Sequence, residues 1–281
     1  MKRTHLFPVL IIFMTGTILF FSCQKQETEM LTSEDNFASD LKTTDGYALY
    51  FDGDWDWVEV PDDPSLDLTE QFSIAAWINI EEYVEWASIV TKGGWAQDPE
   101  GNWYEANNYA IHQSGDMLDP NEFPNVNDFG YMRFTGDNPE WFPFPESETK
   151  MSLNTWYFVA LTWDGEYLKF YLNGELDGVH ELGGTFAPND IPLFIGVDFP
   201  GGIEFWKGMI DEVRIWNEAL KQTHIQASMN GHAAPLARAL VGYWRFDEGE
   251  GEVAHDRSTH ENHGMLMGDV TWVSPGAPIG N

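Results

Sequence analysis

From about residue 46 onward, apolar and polar positions alternate in short runs that are broken repeatedly by Gly, Asn, Asp and Pro. The pattern is clearest over residues 155–174, TWYFVALTWDGEYLKFYLNG. Two apolar runs, Trp156–Trp163 and Tyr167–Leu172, flank Asp164-Gly165, and Asn173-Gly174 follows at once. Asp-Gly and Asn-Gly accept the positive φ of tight turns, so the two runs are predicted to form a hairpin. In the second arm Leu168, Phe170 and Leu172 point one way and Tyr167, Lys169 and Tyr171 the other, as in a half-buried strand. The first arm is apolar on both faces, as an inner strand is.

Similar runs predict further strands at residues 47–51, Trp57–Val60, 87–91, 109–112, 131–134, 193–197 and 203–206. Phe72–Ile80 is apolar throughout and reads as a central strand. In the run 209–216 a period of two puts Asp211, Val213 and Ile215 on one face, and Ile210, Glu212, Arg214 and Trp216 on the other. One helix is predicted, over 218–229, from the spacing of Leu220, Ile225 and Met229 and the stop at Asn230-Gly231. A linker, 232–238, leads to a tail that opens and closes with strands. Residues 95–150 differ: Asn, Asp, Pro and Gly crowd around Trp95, Trp103, Tyr104 and Trp141. Long structured loops of this kind usually carry function. The fold class expected is all-β with one short helix.

Charge narrows the function classes. The 281 residues carry 46 acids against 14 bases, a formal net charge of −32. That balance excludes partners recognised through phosphate, nucleic acid above all. It suits hard cations such as Ca²⁺, and it equally suits simple solubility. The single cysteine, Cys23, rules out an internal disulfide. Lys2 and Arg3, an apolar run over 6–21 and Ser22-Cys23 read as an export signal over residues 1–22, too short for a membrane span. The placement of Cys23 resembles a bacterial lipoprotein signal, which implies a lipidated Cys23 and membrane contact only through that anchor. Gln24-Lys25-Gln26-Glu27 resembles signals that send lipoproteins of Gram-negative cells to the outer membrane or cell surface. Residues 23–45, polar and without apolar period, read as a flexible tether.

Phe51-Asp52-Gly53 with Trp57–Val60, then FSIAAWINI, then the hairpin, the run 193–197 and GMIDEVRIWN at 208–217 resemble the laminin G-like domains of the concanavalin A-like jelly roll. The likeness covers roughly 46–230 and implies a two-sheet antiparallel jelly-roll sandwich. Residues 231–281 resemble a segment that often begins such domains, and are expected to complete the same sandwich, because a lone short β segment buries too little. The resemblance also implies a structural calcium ion where the first strand meets the late Ile-Asp-Glu strand. Carried over, its ligands are Asp52, Gly53 through its carbonyl, Asp54 (or Asp56) and Asp211.

For ligands, Trp95, Trp103, Tyr104 and Trp141 are the candidate platform, with Asn102 and Asn107 nearby, since aromatic faces stack on sugars and amides bond hydroxyls. The same aromatics would also serve to pin loops to a sandwich, and the residues alone leave both open. Glycosidase chemistry needs two carboxylates about 5–10 Å apart. The related glucanases carry Glu-x-Asp-x-x-Glu, and Glu204 with Glu212 around Asp211 lacks that spacing. His255, His260 and His263 have no Cys or regular helix beside them to suggest zinc. The expected function is a lipid-anchored, extracytoplasmic carbohydrate-binding module with structural calcium. The alternatives are a protein-interaction or adhesion module and, third, a glycoside hydrolase.

Overall fold

The computed structural model describes residues 46–97, 103–114, 130–136, 144–202, 204–231 and 234–279. The first sheet is built from β1 (Ala48–Asp52), β3 (Phe72–Ile80), β9 (Trp156–Trp163), β10 (Tyr167–Leu172), β11 (Glu175–Glu181), β13 (Lys207–Trp216), β14 (Leu240–Trp244) and β17 (Thr271–Val273). Its order is β11-β10-β9-β3-β13-β1-β17, and β14 pairs with the far half of β13. The second sheet holds β2 (Trp57–Val60), β4 (Ser88–Lys92), β7 (Tyr109–Gln113), β8 (Met132–Thr135), β12 (Leu193–Ile195), β15 (Val253–Ala254) and β16 (Gly264–Met267). It runs β15-β16-β2-β12-β4-β7-β8. Every pairing is antiparallel. A separate two-stranded ladder joins β5 (Trp95–Gln97) to β6 (Trp103–Glu105).

The two sheets close on one hydrophobic layer, as in a jelly-roll sandwich. Phe72 stands at its centre, with the rings of Tyr109, Phe134, Trp163 and Phe186 at 5.7, 6.0, 5.8 and 5.2 Å. Each such fully buried ring contributes roughly 1.5–3 kcal/mol relative to exposure. The predicted hairpin is β9–β10, its turn fixed by the Asp164 carboxylate accepting from the Tyr167 amide at 2.8 Å. β3 is buried at every position, the inner strand its composition implies. The tail supplies strands to both sheets: β14 and β17 to the first, β15 and β16 to the second.

Four expectations change. The helix α1 spans Gln222–Met229 and starts four residues late. The Ser73 hydroxyl takes the Leu220 amide and donates to the Glu218 carbonyl, so those backbone groups are spent on β3 before the helix begins. The predicted strand over 203–206 is a single bridge between Val197 and Phe205, and the strand expected over 193–197 ends at Ile195. In β13 the period of two breaks. Ile210, Val213 and Ile215 all reach the core, because a bulge lies between Asp211 and Arg214, with Glu212 at φ 55.

Candidate functional site

Alternation along the second sheet gives it an outer face as well as a core face. Val58, Val60, Leu193, Ile195, Tyr109, Ile111 and Phe134 point into the core. The residues between them point away. One cross-strand row reads Thr135, Ala110, Thr91, Phe194, Glu59, Met265. The next carries Arg133, His112 and Ser88 at one end and Trp57 and Met267 at the other. At roughly 4.8 Å per strand the first row spans about 24 Å. Its β8–β4 end is buried and carries Thr135 and Thr91, and its β2–β16 end, Glu59 and Met265, is more open.

At the polar end the His112 Nδ1 lies 2.5 Å from the Ser88 hydroxyl, and Nε2 lies 2.7 Å from the Thr135 hydroxyl. Asp198 Oδ1 is 3.4 Å from both Ser88 Oγ and Thr91 Oγ1, and 3.6 Å from His112 Nδ1. A nucleophile relay needs acid and hydroxyl on opposite ring nitrogens. Ser88 and Asp198 both sit beside Nδ1, and the Thr135 hydroxyl on Nε2 is itself buried, so no hydroxyl here is open to a substrate and the four side chains form a buried polar floor. Trp86 covers it, edge-on to His112 at 5.5 Å, with the Arg133 guanidinium 4.6 Å over its ring and bonded to Glu146.

Burial pushes the Asp198 carboxyl up to about 7, and the nearby Glu204 charge adds to this, against the opposing hydroxyls of Ser88 and Thr91. A carboxyl raised in the native state holds its proton more tightly there than in the unfolded chain, where its value is about 3.9. The stability it contributes is full below about pH 4 and is lost as pH rises through about 7. Asp198→Asn removes this dependence. The melting temperature of the variant minus that of the wild type is expected to grow from pH 5 to pH 8. A difference constant across that range would show Asp198 ionised throughout.

Asp198 opens a loop closed by the Val197–Phe205 bridge and by the Asp198 amide donating to the Glu204 carbonyl at 3.3 Å. The next residues, Phe199, Pro200 and Gly201, form one wall of a cleft of about 590 Å³, and Gly93, Gly94, Ile191 and Phe194 line the rest. Gly93 and Gly94 have φ of 148° and 150°. A Cβ on Gly93 would lie 2.5 Å from the Ala106 carbonyl oxygen, and one on Gly94 3.3 Å from the Phe199 Cβ. Only glycine leaves this space open. Immediately before them, the buried Lys92 ammonium ties the Asn189 and Ile191 carbonyls at 2.8 and 2.7 Å to Asp62 at 2.8 Å. That cage fixes the Ile191 wall.

The sequence-predicted residues fall as follows. Trp95, Trp103 and Tyr104 lie on the β5–β6 ladder, in register Trp95↔Glu105, Ala96↔Tyr104 and Gln97↔Trp103. The Ala106 amide donates to the Gly94 carbonyl, so this hairpin is rooted at the cleft. Trp141 and Cys23 lie outside the described residues. The calcium set does not come together. Asp52 faces Lys207 across β1 and β13, which leaves Asp211 four positions further along the ladder, roughly 13 Å away. The Asp211 carboxylate accepts instead from the Ala277 amide at 2.8 Å, and the Asp52 carboxylate from the Asp54 amide at 2.9 Å, beside Gly53 at φ 85. Among the described residues no three His, Cys, Asp or Glu side chains gather to hold a metal ion. A calcium shared by Asp52 and Asp211 therefore does not fit these residues. Glu212 is buried against Arg214, so it offers no partner to Glu204 for glycosidase chemistry.

Residues 52–226 match the family model Laminin_G_3, Concanavalin A-like lectin/glucanases superfamily. No curated protein matches the sequence. Among solved structures, one similar fold is a candidate carbohydrate binding protein from Bacteroides ovatus ATCC 8483. It is 23% identical with a TM-score of 0.62, and the match covers 84% of this chain and 62% of that protein's length. Two others are domain 4 of AbnA, a GH43 extracellular arabinanase from Geobacillus stearothermophilus in complex with arabinotriose, and a SAP-like pentraxin from Limulus polyphemus. The first is 19% identical over 66% of this chain and 82% of its own, with a TM-score of 0.46. The second is 17% identical over 69% and 87%, with a TM-score of 0.47.

Proposed function

The chain belongs to the laminin G-like part of the concanavalin A-like lectin/glucanases superfamily, and from that premise we propose that it is a carbohydrate-binding module whose ligand enters the cleft between Phe199 and Gly94. The single observation that carries this reading is the build of the cleft: aromatic and Pro walls stand over a bare two-glycine floor. Such a slot admits the flat apolar face of a sugar ring. The fold shared with the candidate carbohydrate binding protein of Bacteroides ovatus supports the same ligand class.

Charge selects within that class. Among the described residues no Lys or Arg lines the cleft. The ammonium of Lys92, the residue before Gly93, is buried and engaged by Asp62 and the Asn189 and Ile191 carbonyls. Asp198 and Glu204 stand on the loop that forms the wall, and the chain carries a net charge of −32. Uronic, sialic and sulfated sugars would meet repulsion with no compensating cation. A glycan-array screen is expected to show binding to neutral glycans and none to their anionic counterparts. Preference for anionic glycans would contradict this reading.

A further inference from the structure

A second feature of the same face lies outside the cleft. Trp55, at the tip of the β1–β2 turn, is 56% exposed, the most exposed large hydrophobic side chain among the described residues. It also has φ 59, a left-handed conformation that is costly for a bulky side chain. The turn is nonetheless held firmly. The buried Asp56 carboxylate accepts from the Asp52 amide at 2.6 Å, and Gly268 packs so closely on the Trp55 carbonyl that a Cβ there would lie 1.9 Å from the oxygen. The indole leans on Phe205, ring centres 5.7 Å apart. Phe205 belongs to the cluster with Phe194 and Ile191 that lines the cleft. An exposed, strained indole fixed in place costs stability and contributes little to the core. Rigid presentation of an aromatic surface is what lowers the entropic cost of binding.

We propose that Trp55, flanked by the exposed carboxylates of Asp52 and Asp54, is a second sugar-contact site, and that the ligand is an extended oligosaccharide running from the cleft to Trp55. This rests on the cleft being the primary glycan site. Strand spacing and rise place Trp55 on the order of 10–15 Å from Phe194, within reach of further sugar units of one chain. The buried Phe205 ring carries both Trp55 and the half-buried Trp57, at 5.7 and 6.3 Å, on the cluster that also holds Ile191 of the cleft, and this shared support favours one glycan over two separate ligands. Asp52 and Asp54 supply acceptors for hydroxyls beside the ring, and the neighbouring Lys207 ammonium is paired with Glu82 at 2.8 Å.

The test is a titration with neutral cello-, xylo-, manno- and arabino-oligosaccharides from monosaccharide to hexasaccharide. Wild type and Trp55→Asn are compared, because asparagine tolerates the left-handed backbone and removes the ring. The wild type is expected to gain affinity with chain length. Trp55→Asn is expected to lose about tenfold or more on the longest ligand it binds, to keep wild-type affinity for the shortest, and to melt no lower. Trp55→Tyr is expected to recover most of the loss. Length-independent binding, or equal affinity of Trp55→Asn for the longest chain, would overturn the extended site while leaving the cleft intact. Silence of the wild type on all four series would overturn both readings together.

Discussion

Arg214→Met is expected to lower the unfolding free energy by about 3–5 kcal/mol, the cost of breaking a buried charge pair by removing one partner. Arg214 is fully buried in the β13 bulge. Its guanidinium bonds the Glu212 carboxylate, the Tyr243 hydroxyl at 2.9 Å, and the Ser228 carbonyl and hydroxyl at 2.9 and 3.0 Å. One side chain thus joins β13, the end of α1 and β14. Methionine fills much of the volume but leaves the buried Glu212 carboxylate with only the longer ion pair to Arg245, at 3.8 Å. Adding Glu212→Gly removes that charge and suits the backbone at φ 55, so the double variant is expected to recover a substantial part of the loss. Denaturant unfolding of the two single variants and the double variant checks this. Additive losses would show that the pair is not coupled.

Lys92→Met carries the next largest effect, about 3 kcal/mol, or a melting temperature lower by roughly 10 °C. The ammonium is fully buried, but its carboxylate partners are not. Asp62 and Asp67, at 2.8 and 3.4 Å, keep 29% and 19% of their side-chain exposure. Water can therefore take up part of the charge left behind, which places the loss at the low end for a broken buried pair. The effect reaches function through geometry. The cage holds Asn189 and Ile191, and Ile191 is a wall of the cleft. Ligand affinity should fall in the same variant at temperatures where it remains folded. A variant as stable as the wild type would mean that the cage is dispensable.

The features legible in the sequence are those whose causes are local. The β9–β10 hairpin announces itself through Asp164-Gly165 and a period of two, and β3 through nine consecutive buried positions. The bulge in β13 does not. A glutamate at positive φ is sustained by Arg214, close in sequence, and by Tyr243, which lies 31 residues from Glu212 and also bonds its carboxylate. The spacing of the calcium candidates is illegible for a related reason: their two strands are neighbours, yet composition does not give the register, and the register separates Asp52 from Asp211. The cleft was hidden because its floor reads as a strand terminator, Gly93-Gly94. Its walls come from residues 191–201, about a hundred positions later, where a Phe-Pro-Gly turn carries no chemical signature of its own. Trp55 sat in view, between aspartates in a turn, but only its exposure and its φ set it apart from the tryptophans that build the core.

The central claim is that a neutral glycan occupies the cleft beside Phe199. It is tested most directly by calorimetric titration of the strongest neutral array ligand into wild type and Phe199→Ala. Removing the ring takes away the wall without touching Lys92 or the Asp198 floor, so the melting temperature should change little while affinity falls about tenfold or more. Wild-type affinity in Phe199→Ala would place the ligand elsewhere on the molecule and contradict the account.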